Sequence, residues 1–300
     1  MMSNAEEEEA DEVCANCGKA EVDDVKLKKC NACKLVKYCS VDCQKNHRPQ
    51  HKKACKKRAA EIRDDELFAQ PDVSCYGECP ICCLPLSLDK TKSSMNSCCC
   101  KLICNGCVLA NVLRERGQGL EMRCAFCREP VQGSQEKADE HEMKRAEAND
   151  PVGLFQVGAR YKDEGNYEGA FKYFTKAATL GEADAHYNLH ILYRDGKGVE
   201  KNEKKKVYHL EEAAIGGHHI ARHNLGVYEW EINGRIDRAM RHFIISAKLG
   251  CDESLEEVKR GFRVGKKVSK EDFEAALRGH QAAVDATKSQ QRDLASLMNM

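Results

Sequence analysis

Small and large apolar residues recur at a fixed spacing along the second half of the chain. Three segments of the form Ala/Ser-Ala-x2-Gly end at glycines that lie 36 and then 33 residues apart, namely Gly181, Gly217 and Gly250. Seven positions before each glycine stands a large apolar residue, in order Phe174, Leu210 and Phe243. Periods of about 20 to 50 residues are typical of stacked helix pairs. The pattern therefore predicts an all-α helical-repeat solenoid over residues 150–292.

The residue types at these positions suit such a stack. Alanines allow two helices to approach closely, large side chains fill the space between repeats, and a glycine ends the second helix in a left-handed cap. Asn149-Asp150-Pro151 is a helix-start signal at the head of the array. After Gly250 we expect two closing helices, one over residues 252–263 and one from Ser269, which forms a capping box with Asp272.

One turn inside the repeats identifies a family resemblance. Tyr193-x2-Gly196-x-Gly198-Val199, together with the Ala-Ala-x2-Gly endings, resembles the Sel-like repeat, a branch of the tetratricopeptide superfamily. The match covers about residues 151–250, and the first and third repeats retain only Gly165 and Gly234 of the turn. The resemblance implies an adaptor for complex assembly with a concave partner surface. Candidates to line that surface are His186, His218, His219 and His223.

The remaining chain divides by composition into shorter segments. Residues 52–69 contain neither Gly nor Pro and predict a helix that stops before Pro71. We expect a disordered acidic tail, a first cysteine module, a helical linker, a second cysteine module and a charged connector, at residues 1–12, 14–55, 56–72, 75–131 and 132–149 respectively.

Overall composition removes several classes of function. The chain has 300 residues, a net charge of zero and a pI of about 7.1, so neither nucleic acid nor a membrane surface is expected as a partner. No apolar run approaches the roughly 18 residues that span a bilayer. The acidic start lacks the features of a signal peptide, so the sequence predicts an intracellular protein, cytoplasmic or nuclear.

Cysteine is concentrated before the repeats. Eighteen of the 19 cysteines fall between Cys14 and Cys127, mostly as Cys-x2-Cys pairs. An odd count and this spacing favour zinc ligands over disulfides. The first module offers eight candidates, enough for two tetrahedral sites: Cys14, Cys17, Cys30, Cys33, Cys39, Cys43, His51 and Cys55.

The order of these eight residues, with Tyr38 and Gln44 beside them, resembles the MYND zinc finger over about 42 residues. The resemblance implies interleaved sites, in which Cys14, Cys17, Cys39 and Cys43 bind one zinc and Cys30, Cys33, His51 and Cys55 bind the other. His47 is an alternative to His51, although the register favours His51, and His47 is expected to be an exposed surface residue. MYND fingers typically bind proline-containing peptides. Arg48 stands where the family usually has the tryptophan that helps form the peptide groove.

The second module contains three Cys-x2-Cys pairs and a cysteine triplet. The order resembles an all-cysteine RING domain, which implies one zinc on Cys79, Cys82, Cys104 and Cys107. Cys124 and Cys127 then share the other zinc with two residues of the triplet. Counting back from Cys104 favours Cys98 and Cys99, and Cys98 with Cys100 is the alternative. Cys75 and Cys83 stand beside a complete pair and are not expected to bind metal.

The RING resemblance also implies contacts to a ubiquitin-conjugating enzyme. Ile81 lies inside the first pair, and Arg128 follows the last cysteine, where active RINGs carry an apolar and a basic contact. Such a ligase acts by positioning rather than by a nucleophile. Ala125 replaces a proline that is common in the family. No other catalytic signature is visible.

Three functions remain open, all with about four Zn²⁺ ions. The first is a zinc-binding adaptor for other proteins, the second a RING-type ubiquitin ligase whose repeats select the substrate, and the third a MYND-type transcription-linked regulator. Each module is small and poor in large apolar residues, so zinc is expected to hold it folded. The sequence predicts that a chelator unfolds both modules and spares the C-terminal region.

Overall fold

The computed structural model of the chain describes residues 13–22, 25–131, 133–265 and 267–298. The acidic tail predicted for residues 1–12 lies outside this part. The chain divides after Ala69 into two compact units. The first unit contains the first cysteine module, and the second contains the second module and the helical repeats.

The first unit consists of a short hairpin and one long helix. Strand β1 (Lys28–Lys29) pairs antiparallel with β2 (Lys37–Tyr38), and helix α1 follows at Val41–Phe68. The Ser40 hydroxyl caps α1 by accepting a hydrogen bond from the Cys43 backbone N–H at 3.1 Å. Helix α1 begins earlier than the sequence predicted and continues through Pro49. The missing proline N–H would have bonded to the carbonyl of exposed Lys45, which water reaches, so the helix tolerates it.

The second module contains a hairpin followed directly by a helix. A 3-10 turn (Lys90–Lys92) leads into β3 (Ser93–Asn96), which pairs antiparallel with β4 (Lys101–Cys104). Helix α2 (Asn105–Gly117) starts at the next residue. Five of the seven buried residues at the centre of this module are cysteines, and Leu86 and Ile103 are the others. So small an apolar core needs a further source of stability.

The predicted repeats consist of helices that are each thirteen residues long. Helix α3 spans Gln135–Glu147, and the six that follow are α4 (Pro151–Asp163), α5 (Tyr167–Thr179), α6 (Ala183–Asp195), α7 (Glu203–Ile215), α8 (His219–Glu231) and α9 (Ile236–Lys248). They pack as successive pairs, which confirms the expected fold class of zinc-type modules followed by an all-α array. Phe174, Leu210 and Phe243 are at most 2% exposed.

Glycines fix the ends and the tight contacts of these helices. Gly181, Gly217 and Gly250 have φ values of 88°, 81° and 98°, which confirms the predicted left-handed caps. Gly196 ends α6 in the same conformation, at φ 72°. The backbone of Gly198 lies against the Tyr167 carbonyl at the start of α5, so that no side chain fits there.

Replacing Gly198 by alanine is expected to destabilise the repeats by about 3 kcal/mol or more. The added Cβ would overlap the Tyr167 backbone and would also occupy a left-handed conformation. Gly234→Ala is the matched control, because Gly234 has φ 64° but an open surrounding, so only the conformational cost of about 1 kcal/mol remains. Urea unfolding of both variants measures the difference, and equal losses of stability would contradict the close contact.

Helices at both ends of the array close it. Helix α3 is more than a charged connector, because its Met143 and Ala146 join the first repeat core and Gly153 of α4 lies against Arg145. Helices α10 (Asp252–Gly265) and α11 (Lys270–Ala286) occupy the two regions predicted after Gly250. The Ser269 hydroxyl caps α11 by accepting from the Asp272 N–H at 3.0 Å. A twelfth helix, α12 (Gln290–Leu297), was not predicted as a separate element.

The repeats bury most of their histidines. His218, His219 and His242 are 2%, 7% and 0% exposed. The rings of His186 and His209 contact each other through their Nδ1 atoms at 3.0 Å. His218 and His219 therefore belong to the interior of the solenoid rather than to an open partner surface. Among the described helices, none is both long and apolar enough to cross a membrane.

Candidate metal centres

Sixteen cysteine and histidine side chains gather into four groups of four. Within each group the donor atoms all lie within 4.8 Å of one another. The groups are Cys14, Cys17, Cys39 and Cys43 (site 1), Cys30, Cys33, His51 and Cys55 (site 2), Cys79, Cys82, Cys104 and Cys107 (site 3), and Cys98, Cys99, Cys124 and Cys127 (site 4). These are the pairings that the two family resemblances implied. The identity of each residue as a zinc ligand stays a prediction.

The spacing of the sulfur atoms matches a tetrahedral metal site. Zinc–thiolate bonds of about 2.3 Å place neighbouring sulfurs about 3.8 Å apart on a tetrahedron. The Sγ atoms of Cys30 and Cys55 are 3.8 Å apart, as are those of Cys82 and Cys104, and those of Cys99 and Cys124 are 3.9 Å apart. A disulfide would need about 2.05 Å, and all of these cysteines are free. The four groups are therefore compatible with about four zinc ions.

The Cys-x2-Cys pairs share one backbone turn. The residue after the second cysteine is left-handed in four of them: Gly18, Lys34, Cys83 and Arg128, with φ between 55° and 72°. In each, that residue donates its N–H to the carbonyl of the first cysteine, at 2.8 to 3.1 Å. Cys83 therefore serves as a turn residue, in line with its expected exclusion from the metal site. A left-handed conformation is costly for Lys, Cys and Arg, and the turn overcomes that cost.

Backbone amides prepare some of the thiols to act as thiolates. Burial raises the pKa of Cys14, but N–H groups of Cys39, Cys17 and Asn16 donate to its sulfur and lower that pKa to about 6. Burial also raises the pKa of Cys30, and the Cys33 N–H and the His51 side chain outweigh it, so that this pKa too is about 6. The thiolate is the form that binds metal. In the same two sites, hydrogen bonds with Cys17 and Cys43 raise the pKa of Cys39, and burial raises the pKa of Cys55.

The structure distinguishes among the three cysteines of the triplet. Cys98 and Cys99 lie with Cys124 and Cys127, as the count back from Cys104 favoured. The Cys100 sulfur instead faces the Ser97 carbonyl at 3.7 Å. Burial raises the pKa of Cys100 to about 11, which keeps it a thiol. Cys75 also lies outside the four groups, and its backbone N–H donates to the Gly217 carbonyl at 3.1 Å.

His47 supports site 2 without belonging to it. Its Nδ1 lies 3.0 Å from the hydroxyl of buried Tyr38, and its ring stacks on His51 with centroids 5.5 Å apart. His51 itself points Nε2 at the Cys33 sulfur, at 3.2 Å. We expected an exposed surface residue at position 47. The four-residue spacing from His51 along one helix, with Tyr38 next to a ligand, was the available signal.

A buried carboxylate organises the outer side of site 4. Glu115 of α2 is 0% exposed, and its carboxylate accepts from the Arg123 N–H at 2.8 Å and from the Arg128 guanidinium. The hydrogen bond from Arg123 and then the contact with Arg128 hold the pKa of Glu115 below its ordinary value. Arg128 also donates to the Asn111 side chain at 2.7 Å, and 40% of its own side chain stays exposed.

The last helix connects the end of the repeats to site 3. Arg292 of α12 donates to the Cys82 sulfur at 3.4 Å, to the Leu84 carbonyl at 3.1 Å and to the Pro85 carbonyl at 2.6 Å. Burial raises the pKa of Cys82, whereas the Leu84 N–H and Arg292 lower it to about 7 overall. A Cβ on Gly106 would come within 2.8 Å of the Arg292 backbone nitrogen, so α2 and α12 touch through their backbones. The second module therefore belongs to the same compact unit as the repeats, residues 70–300, which we call the repeat unit.

Comparisons with known proteins identify the first module. Residues 14–55 match the MYND finger family. Over 56 residues the chain is 46% identical to a Helicobacter pylori (strain J99) protein named "Putative beta-lactamase HcpC", and over 52 residues it is 44% identical to the protein of that name from strain 26695. These matches cover 19% and 17% of this chain. The chain spans less than a fifth of the length of these curated relatives.

Solved structures with some likeness to this chain come from repeat proteins. A Sel1 repeat protein from Oxalobacter formigenes has a TM-score of 0.43 and 22% identity, over 64% of this chain and 85% of its own. The Escherichia coli protective antigen c5321, with an SLR fold, has a TM-score of 0.40 and 22% identity, over 65% of this chain and 40% of its own. The chain therefore carries a MYND finger at residues 14–55, and Sel1-repeat proteins are among its structural neighbours.

Proposed function

We propose that this protein is a zinc-stabilised adaptor that binds other proteins through its MYND finger and its repeat unit. One observation carries the proposal: each of the four groups supplies four protein donors to one site. Structural zinc is closed in this way, whereas catalytic zinc keeps a position open for water or substrate. The metal then holds binding modules in shape instead of performing chemistry. The sixteen ligands are those of sites 1 to 4.

The finger offers a surface of the kind that binds partners. On α1 the finger exposes Arg48, which stands at the position that the MYND resemblance connects with the peptide groove, and Gln44, which lies one turn before it. The basic residues that follow, Lys52, Lys53, Lys56 and Lys57, are exposed as well. Lys57 and Arg58 pair with Glu61, as is usual on a solvated helix face. We infer that this face of α1 contacts partners directly.

Quantitative affinity capture with the full chain tests the adaptor function. Wild type is compared with Cys39→Ser, which breaks site 1, and with Arg48→Ala, which changes only the exposed face of α1. We expect partners that are lost from both variants, with the repeats still folded by circular dichroism. Identical recovery from wild type and Cys39→Ser would show that the finger does not bind partners.

A ubiquitin ligase of the RING type is the second candidate, favoured by the surface of the second module. Ile81 is 41% exposed on the first turn of site 3, and Arg128 is held half exposed by Glu115 and Asn111. Both positions are those that the RING resemblance implies for a conjugating enzyme. The order of the ligands in sites 3 and 4 supports the same resemblance.

A ubiquitin-transfer assay with a panel of conjugating enzymes separates the two functions. Arg128→Gly removes the guanidinium and suits the left-handed turn, and Cys83→Gly makes the matched change at the turn of site 3. A ligase would lose transfer with Arg128→Gly and Ile81→Ala and retain it with Cys83→Gly. If protein that holds its zinc transfers no ubiquitin with any conjugating enzyme, the adaptor function is the one of the two that remains.

A further inference from the structure

A cleft of about 640 Å³ lies between the second module and the first repeats. Its walls come from the loop before site 3, the β3–β4 hairpin, the start of α4 and the start of α6. All of these elements belong to the second compact unit. The volume suits one or two side chains and their backbone.

Large apolar side chains line one part of the cleft. Met95 and Leu102 are direct partners across the β3–β4 hairpin, and Phe126 and Phe155 face the same space. Met95 and Phe126 remain 38% and 44% exposed. Exposed apolar side chains gathered in a concave site are typical of binding surfaces.

Carboxylates outnumber cations in the same cleft. Glu78, Glu182 and Asp184 line it, against Lys90 and Lys101. Asp184 has a neighbour in His218, whose Nε2 lies 3.5 Å away, and the positive charge of Lys90 also acts on it. Glu182 accepts only a long hydrogen bond from the Asp184 N–H, at 3.4 Å, and no cation is within 4.0 Å of it among the described residues. Burial beside Asp184 raises the pKa of Glu182 to about 7.

We propose that this cleft binds a lysine or arginine side chain that is flanked by apolar residues in a segment of a partner protein. The methylene stem would lie on Phe126, Phe155 and Met95, and the cationic end would reach Glu182. One cation of the chain already lies on an aromatic face there, with Lys90 Nζ 5.6 Å from the centroid of Tyr76. One ligand cation would balance the excess carboxylate. The inference rests on the adaptor function and names its partner class.

A paired peptide array tests the cleft with the zinc-loaded full chain. Random heptapeptides with a central lysine stand beside the same sequences with norleucine, which keeps the four side-chain carbons of lysine and lacks the ammonium group. We expect lysine sequences with apolar neighbours to be enriched at least fivefold over their norleucine partners. The strongest peptide is then titrated against variants of the protein.

Two variants and a control locate the binding site. Glu182→Gln keeps the acceptor oxygen for the Asp184 N–H and removes the charge, and Phe126→Ala removes one exposed wall. Each is expected to weaken binding at least fivefold, whereas Glu231→Gln, on an exposed position of α8, leaves it unchanged. Equal binding of lysine and norleucine peptides, or full affinity in Glu182→Gln, overturns the proposal. In that case, the capture of partners through the finger would still support the adaptor function.

Discussion

Removal of zinc from the intact chain is expected to unfold both cysteine modules and also to release α12, while α4 to α9 stay folded. Structural zinc contributes about 10 to 16 kcal/mol per site in small peptides. The few buried apolar residues of the second module do not replace that. The sequence predicted that a chelator would spare the whole C-terminal region. The contact of Arg292 with Cys82, Leu84 and Pro85 changes this expectation for the last helix.

Hydrogen exchange measured along the chain tests this coupling. Cys82→Ser removes a ligand of site 3, and Cys83→Ser changes the adjacent exposed turn residue, which is outside the four groups. We expect amides of α12 to lose protection at least tenfold in Cys82→Ser and with chelator, and to keep it in Cys83→Ser. Unchanged protection of α12 after loss of zinc from site 3 would show that the helix docks independently of the metal.

Acidification from pH 7 to pH 4 is expected to destabilise the repeats by several kcal/mol. Burial lowers the pKa of His209 to about 4, of His219 to about 4 and of His242 to about 2. The ordinary value of about 6.5 applies in the unfolded chain. The unfolded state therefore takes up protons below pH 6.5 before the folded state does. The contribution of these neutral, buried histidines to the free energy of unfolding is complete above pH 6.5 and is lost as the pH falls toward 4.

The expected loss of stability on acidification follows from about 1.4 kcal/mol per pKa unit, so His209 and His219 can each contribute up to about 3 kcal/mol to it. Trp230, the single tryptophan of the chain, lies in α8 and reports on the repeats separately from the zinc modules. Urea unfolding followed by its fluorescence should show a midpoint that falls steadily below pH 6.5. His209→Gln should reduce that fall, and His141→Gln on α3 is the control. A midpoint constant from pH 7 to pH 5 would contradict the account.

Local chemistry was predictable from the sequence. Two ligands in one Cys-x2-Cys turn are fixed by their spacing, and the left-handed glycines at 181, 217 and 250 follow from the ends of helices. The same holds for the repeat period, because each helix pair repeats one pattern of small and large residues. The grouping of Cys98 and Cys99 with Cys124 and Cys127 was predictable from the distance to Cys104 along the chain.

Contacts between distant segments were not predictable. Arg292 reaches Cys82 across 210 positions, and nothing in the local pattern of α12 distinguishes it from other surface arginines. Glu115 resembles an ordinary helix glutamate until the loop of Arg123 and Arg128 folds onto it. The histidines of the repeats suggested a polar surface, but a neutral imidazole packs between helices, as His218 does against the Tyr187 ring with centroids 4.4 Å apart. Pro49 obscured the start of α1, because a helix tolerates an internal proline only where water reaches the carbonyl that loses its hydrogen bond.

Four closed zinc sites are expected to hold the binding modules of this protein in shape. Native mass spectrometry of the purified chain counts the ions directly. We expect four zinc ions in wild type, three in Cys99→Ser, which removes a member of site 4, and four in Cys100→Ser, which changes the neighbouring thiol outside it. A wild type with fewer than four ions, or a loss of zinc in Cys100→Ser but not in Cys99→Ser, would contradict this account of the metal centres.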